Sequence, residues 1–115
     1  MFKLDLSPTF EAPVRFELLS ATGAQRQVVE FTAVFPRLTV DELTQLAHDV
    51  DKQLLDDRAI AARLLMAWGP DLQDAHGNVL AHTPDNKAAV LNVAGCATAV
   101  VLAFRAAQPR AAAGN

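Results

Sequence analysis

The sequence lacks several features that would point directly to a class of protein. Its 115 residues contain no tyrosine and a single cysteine, and aromatic residues make up only 6% of the chain. One cysteine cannot form an internal disulfide, which favours a reducing compartment. No apolar run reaches the roughly 18 residues that a membrane-spanning helix needs, and residues 1–10 lack the apolar core of a secretion signal. We therefore expect a soluble cytosolic protein with no membrane partner.

A basic excess is also missing. The formal net charge is −3, whereas a domain that binds nucleic acid should carry a basic patch or stripe. We therefore expect no nucleic-acid partner. The composition excludes a disordered tail, because 51% of the residues are hydrophobic and only 20% are charged. The length fits one compact domain that can hold a core without disulfides or metals.

Recognisable catalytic and cofactor motifs are absent from the sequence as well. The five glycines are scattered, so there is no phosphate-binding loop. The histidines, His48, His76 and His82, form no structural zinc spacing with Cys96. Cys96 lies among alanines and valines, which predicts a small buried thiol. We expect no enzyme activity, no cofactor and no metal.

Four aspartates crowd the middle of the chain, where residues 39–68 hold six acids and three bases. They are Asp49, Asp51, Asp56 and Asp57. Paired carboxylates can divide acid and base roles. These four are spread around helical turns with Lys52 and Arg58 among them, so the sequence favours a solvated charged face.

The first third of the chain has the alternation of β-strands. Residues 14–18 alternate apolar and polar side chains, and residues 28–35 are apolar at every odd position. A turn-rich stretch at 20–24 separates them, which predicts an antiparallel hairpin. Residues 1–10 are interpreted as a short extra strand or a loose arm.

Helical signals fill the rest. Thr39 and Glu42 form a capping box, with Leu38 placed to staple onto Leu43. One amphipathic stripe follows, which we expect to face the core. It consists of Val40, Leu43, Leu46, Ala47, Val50 and Leu54. The opposite, polar side includes His48 and Asp49.

A second helix is predicted over 58–68. Asp56 or Asp57 would cap it, and Gly69-Pro70 would end it just after Trp68. We expect Arg63 to point outward. Trp68 has two interpretations, a core anchor or a contact hot spot, and composition favours the anchor.

A β-turn from Asp74 to Gly77 comes next, and Thr83 followed by Pro84 starts a third helix. Gly95 is a break or a bend before a last helix over 96–107. The sequence thus predicts an α+β fold, an N-terminal β-hairpin followed by about four short helices. Residues 1–108 form one domain, with a strand region at 1–38 and a helical region at 39–108. Residues 109–115 are expected to be a flexible tail.

The order of motifs over residues 31–108 resembles a known family. A strand ending in aromatics leads into a Leu-Thr-x-x-Glu-Leu helix start at 38–43. A tryptophan, an Asp-x-x-Gly turn, a Thr-x-Asp-Asn helix start and a final helix ending in an aromatic follow in sequence. These are Trp68, Asp74, Gly77, Thr83, Asp85, Asn86 and Phe104. The chain resembles the tail assembly chaperones of long-tailed bacteriophages and prophages.

The resemblance implies a non-enzymatic binding protein of the host bacterial cytoplasm. Such chaperones bind the tape measure protein, keep it soluble, help to recruit tail tube subunits, self-associate, and are absent from the mature virion. The candidate partner-binding residues are Phe31, Phe35, Leu38, Leu43, Trp68, Asp74, Gly77 and Phe104. Two alternatives remain: a structural component of the phage tail or head–tail connector, and a small enzyme with no recognisable motif.

The family often makes a longer product by ribosomal frameshifting, and its extension contacts the tail tube protein. Ala113-Gly114-Asn115 can be encoded with the slippery heptamer GGGAAAC. We therefore expect this chain to be the short product of a frameshifted pair. Other codons at these positions, with no overlapping frame downstream, would contradict that expectation.

Overall fold

The computed structural model describes residues 7–19, 23, 25–52 and 55–108. Within them the chain is α+β, with a three-stranded antiparallel sheet of order β1-β2-β3 and four helices. The elements are β1 (Thr9–Leu19), β2 (Arg26–Pro36), α1 (Val40–Asp51), α2 (Asp57–Leu64), β3 (Ala67–Trp68), α3 (Pro84–Leu91) and α4 (Cys96–Ala106). The predicted class, an N-terminal hairpin followed by four short helices, is confirmed. The expected tail at 109–115 and most of the turn at 20–24 lie outside the described residues.

The hairpin follows the period-two pattern of the sequence. Strands β1 and β2 pair along eleven positions, from Thr9 opposite Pro36 to Leu19 opposite Arg26. The face turned to the helices is apolar and includes Val14, Phe31 and Phe35. Strand β1 begins at Thr9, so residues 9 and 10 belong to the hairpin and form neither a separate strand nor an arm. Residues 1–6 lie outside the described part.

The predicted second helix is wrong over its last four residues. Helix α2 ends at Leu64, and Leu65 has an extended backbone with φ −79° and ψ 100°. The chain then pairs with β2, where the Met66 N–H donates to the Val34 carbonyl at 2.9 Å. Trp68 lies opposite Ala33 in this short strand. A continuous apolar run fits a buried strand as well as a helix, and the open edge of β2 provided the backbone partners.

Gly69-Pro70 therefore ends a strand and turns Asp71 back against β2. The Asp71 carboxylate accepts from the backbone N–H and the hydroxyl of Thr32, both at 2.9 Å. A Cβ on Gly69 would lie 3.0 Å from Asp71 Oδ1, so glycine keeps this turn uncrowded. The Thr32 backbone N–H holds the pKa of Asp71 below its usual value.

The predicted helix starts are confirmed. The Thr39 hydroxyl accepts from the Glu42 N–H at 3.2 Å, and the Glu42 carboxylate accepts from the Thr39 N–H at 3.0 Å. Asp56 caps α2, and Thr83 caps α3 with Pro84 in the first turn. Gly95 is a break, because it adopts a left-handed backbone with φ 89° directly before α4.

Among the described residues no single helix is long and apolar enough to cross a bilayer. Helices α3 and α4 taken together are long and apolar enough, but the chain bends by 96° between them.

The core lies between the inner face of the sheet and helices α2 and α4. Phe10, Phe35 and Phe104 pack as a group, with ring centroids 5.5 to 6.0 Å apart. Helix α4 contributes the most buried side chains of the four helices, namely Cys96, Ala99, Val100, Val101 and Phe104. Helix α1 contributes none, which sets it apart from the rest of the fold.

Candidate functional site

Helix α1 lies on the core with its apolar stripe only half covered. Leu43, Leu46 and Val50 are half-buried and pack against the core. The stripe faces the core at these three positions, whereas Val40 is 79% exposed and Ala47 is exposed. Position 54, the predicted end of the stripe, lies outside the described residues. Within the described residues, part of this amphipathic face is therefore left uncovered.

An apolar cleft runs along this uncovered side of α1. A cavity of about 310 Å³ separates α1 from α2 and α4. Its apolar lining is Leu43, Leu46, Ala47, Val50, Ile60, Leu64, Val101 and Phe104, and its rim carries Asp51, Arg105 and Gln108. We call it the α1–α4 cleft. Its described lining contains no histidine or cysteine.

A second cavity extends the cleft toward the start of α1. It measures about 480 Å³ and shares Leu43 and Gln108 with the first. Its other lining residues are Phe10, Arg37, Leu38, Val40 and Ala107. Helix α1 has 12 residues, a length of about 18 Å or roughly three turns. The two cavities together border α1 from its first residue, Val40, to its last, Asp51.

An ion pair holds the other side of α1. Arg63 Nη1 of α2 lies 3.0 Å from Asp49 Oδ2, and Gln45 donates to the other carboxylate oxygen at 3.0 Å. The hydrogen bond from Arg63, followed by that from Gln45, holds the pKa of Asp49 below its usual value. Arg63 is exposed, as expected, and its guanidinium bridges α2 to α1 across this surface. The polar side of α1 therefore also helps to attach it.

The charge along α1 has one sign. The helix carries Asp41, Glu42, Asp49 and Asp51 and no lysine or arginine. The opposite rim of the cleft, on α4, carries Arg105. Of the four acids of α1, Asp51 is the one that lines the cleft, whereas Asp49 pairs with Arg63 on the other side of the helix. A second arginine, Arg37, lines the extension of the cleft.

The candidate partner-binding residues fall into three groups. Phe31, Phe35, Trp68 and Phe104 are buried, so in this fold they hold the core together; Phe104 also forms a wall of the cleft. Leu43 lines the cleft, and Leu38 lines its extension toward the start of α1. Asp74 and Gly77 lie in an exposed turn outside it. The structure thus brings Leu38, Leu43 and Phe104 to one surface.

The exposed turn has a local structural role. The Gly77 N–H donates to the Asp74 carbonyl at 3.1 Å, which confirms the predicted β-turn. The Asp74 carboxylate accepts from the backbone N–H groups of His76 and Asn78 at 2.8 and 3.0 Å. Gly77 adopts a φ of 80°, which favours glycine. The local structure of the turn therefore explains why Asp and Gly occupy positions 74 and 77, and no binding partner is needed to explain them.

Trp68 acts as a core anchor, as composition favoured. It is 8% exposed, and its indole N–H donates to the Leu80 carbonyl at 2.8 Å. The His82 ring packs edge-on against it, with centroids 4.8 Å apart. Trp68 thereby ties β3 to the segment that leads into α3.

Several cleft residues were not identified from the sequence. They are Val40, Ala47, Val101, Arg105 and Gln108. The sequence feature that could have identified Val40 and Ala47 is the width of the apolar stripe on α1. On a helical projection these two residues lie to one side of Leu43 and Val50. A stripe wider than the core it contacts leaves an uncovered margin.

The titratable groups give no catalytic arrangement in the described residues. Burial raises the pKa of the Cys96 thiol to about 11, so it stays protonated near neutral pH. His48, His76 and His82 are exposed. Three of the crowded aspartates have structural partners: Asp49 pairs with Arg63, Asp56 caps α2, and Asp57 accepts from the Thr98 hydroxyl at 3.0 Å. No three His, Cys, Asp or Glu side chains of the described part could hold a metal ion together.

No family model, curated protein or solved structure matches the chain. Its function has to be inferred from its own motifs and from the α1–α4 cleft. The cleft has apolar walls and a charged rim, features of a surface that binds a polypeptide segment.

Proposed function

We propose that this protein is a tail assembly chaperone of the kind found in long-tailed bacteriophages and prophages. It binds segments of the tape measure protein in the host bacterial cytoplasm, keeps them soluble and helps to recruit tail tube subunits. The α1–α4 cleft is the observation that supports this function most strongly. Its walls come from three helices and offer aliphatic and aromatic side chains with few polar atoms.

The chemistry of the cleft suits a holding function. A long helical client exposes apolar faces before assembly, and a groove with aliphatic walls removes such a face from water. Asp41, Glu42 and Asp51 are exposed on α1, and exposed charge of one sign limits nonspecific association. The motif that begins α1, residues 38–43, also supports the proposal, because Leu43 lines the cleft and Leu38 lines its extension.

Self-association is part of the proposed function, and the β1 edge bears on how it occurs. Pro13 lies opposite Thr32. Thr32 directs its backbone groups toward Gly69 and Asp71, so this pair is not hydrogen-bonded and Pro13 faces the open edge of β1. A proline there removes a donor midway along the edge. We therefore propose that copies associate through helix faces, and that the tail tube protein contacts a frameshift-extended form.

Co-expression tests the holding function. A fragment of the tape measure protein from the same genome should be more soluble with the full chain than with an unrelated acidic protein of similar size. An unchanged soluble fraction would contradict the proposal.

Particle composition tests the localisation. A chaperone should be absent from purified mature virions and present in the lysate of producing cells. Stoichiometric amounts in washed particles, measured by mass spectrometry, would favour the structural tail component instead.

A further inference from the structure

We propose that helix α1 is a lid that opens away from α2 and α4 and uncovers the apolar layer beneath it, and that the ion pair between Asp49 and Arg63 latches it in the closed position. The inference concerns the motion of this chain alone and does not depend on the identity of a client. Three observations carry it: the packing around α1, the side chains beneath the helix, and the bonds that attach it.

Cavities border α1 on both of its long sides. The α1–α4 cleft of about 310 Å³ lies on one side, and a cavity of about 400 Å³ lies on the other, beside Pro36 and Met66. Leu46 of α1 and Leu64 of α2 line both cavities, so the contact between the two helices is a narrow seam with open space at each side. Protein interiors are normally close-packed, and side chains that face a void lose dispersion contacts. Lifting α1 therefore costs less free energy than lifting a close-packed helix.

The other helices pack more closely than α1. Among the described residues the extensive helix contacts are those of α2 with α3 and α4, and those of α4 with α3 and β1. Helix α1 takes part in none of them, and it has no buried side chain. Segments with few buried apolar contacts open at a fraction of the free energy of global unfolding. We therefore expect α1 to open while α2 and α4 stay packed together.

A layer of buried side chains lies beneath α1. Ile60 and Leu64 of α2, with Val101 and Phe104 of α4, line the cleft that α1 borders. Each of these four residues is at most 4% exposed. Because α1 forms the facing wall of the cleft, its opening exposes this layer to water, and its closure hides an apolar patch that would otherwise promote association.

One ion pair latches the closed lid. Within the described residues, the bond from Arg63 Nη1 to Asp49 Oδ2 at 3.0 Å is the side-chain hydrogen bond that joins α1 to another element. The bond from Gln45 to Asp49, and those between Thr39 and Glu42, lie within the helix and its cap, so they move with it. The Arg63 side chain is 51% exposed, and salt screens an exposed pair.

The closed cleft is small for a polypeptide segment. Its volume of about 310 Å³ lies at the lower end of the range for small-molecule pockets, about 300 to 1,000 Å³. A helical segment needs room for its backbone as well as for its apolar side chains. Opening of α1 provides that room, and closure over the segment then covers both.

Thiol labelling measures the opening directly. Val101→Cys places a thiol in the layer beneath α1, and Val100→Cys places one at a neighbouring buried position outside the lining of the cleft. Native Cys96 is buried on the same helix and reports global unfolding in both variants. With iodoacetamide under native conditions and mass spectrometry of the digested chain, the thiol at position 101 should be labelled at least about tenfold faster than the other two. One common rate for all three positions would overturn the proposal, because global unfolding alone would then expose position 101.

Removal of the latch tests the ion pair. In the Val101→Cys chain, Arg63→Gln should speed labelling at position 101 about twofold to fivefold and leave Cys96 unchanged. Arg58→Gln is the matched control, because Arg58 lies on the same helix but donates to Asn92 at 2.8 Å; it should leave the rate at position 101 unchanged. Equal acceleration by both replacements would show a general effect of lost charge and would overturn the latch assignment.

Salt provides a readout that a change in packing would not move. Raising the salt concentration to about 1 M screens the ion pair, so labelling at position 101 should speed up in the chain that keeps Arg63 and change little after Arg63→Gln. Asp49→Asn added to Arg63→Gln should cause no further change, because the two residues act through one bond. A salt effect that persists in full without Arg63 would contradict the latch.

The inference and the proposed function fail separately, because the labelling experiments contain no client. A chain whose lid opens but which does not raise client solubility would contradict the chaperone function and leave the lid standing. A chain that keeps the client soluble while its three thiols are labelled at one rate would leave the chaperone function standing and overturn the lid.

Discussion

Helices α1 and α4 have nearly equal lengths and both carry an apolar face, yet they occupy opposite places in the fold. Helix α4 buries five side chains between α2 and β1, whereas α1 buries none. Helix α1 is held by half-buried leucines and an exposed ion pair. The difference shows that an amphipathic stripe predicts a helix without saying whether its partner lies in the same chain. The apolar face of α4 packs against elements of the same chain. For α1, we infer that another molecule covers the part of the apolar face that is exposed in the described residues.

The largest expected contrast comes from two matched truncations. Val100→Ala in α4 removes two carbons from a fully buried site and should cost about 2 kcal/mol of unfolding free energy. Val50→Ala in α1 removes the same atoms from a half-buried site and should cost less than about 1 kcal/mol. Urea denaturation followed by circular dichroism measures both. Equal costs would mean that α1 belongs to the core as fully as α4.

The helix caps provide a smaller contrast. Thr83→Ala removes the cap of α3 and should cost about 1 kcal/mol of global stability. Thr39→Ala removes the equivalent bond from α1. Since α1 has no fully buried side chain, the loss of its cap should appear mainly as faster amide exchange within α1. If Thr39→Ala lowered the free energy of global unfolding as much as Thr83→Ala does, α1 would unfold together with the rest of the chain.

The smallest effect concerns acid. Asp71 has a folded pKa below its unfolded value because Thr32 donates to its carboxylate. Its stabilising contribution is therefore present above the unfolded pKa, near 3.8, and is lost as pH falls through the lower folded pKa. Asp71→Asn should lower the melting temperature at pH 7 and flatten its decline below pH 4. A parallel decline in both proteins would contradict this role for Asp71.

Local chemistry was the part of the fold most accessible from the sequence. A cap needs only a side chain and the backbone three residues away, so Thr39, Asp56 and Thr83 could be recognised without tertiary information. The hairpin was equally accessible, because period-two alternation places all its apolar residues on one face. The turn at Asp74 depends on bonds within five residues.

Contacts between distant segments could not be predicted from the sequence. The strand at Ala67–Trp68 exists because β2 offers an open edge, and the ion pair from Arg63 to Asp49 joins two helices whose relative placement no local pattern gives. The cleft could not be predicted from the sequence for the same reason. Its walls come from three helices, and the apolar residues that line it have the pattern of ordinary core positions until their neighbours are known.

Amide hydrogen exchange with and without the client tests the central claim most directly. In the free chain, α1 amides should exchange much faster than those of α4, because α1 has no buried side chain. Addition of a tape measure fragment should slow exchange in α1 while α3 stays unchanged. Slow exchange of α1 in the free chain, or protection confined to α2 and α3 on binding, would contradict the account.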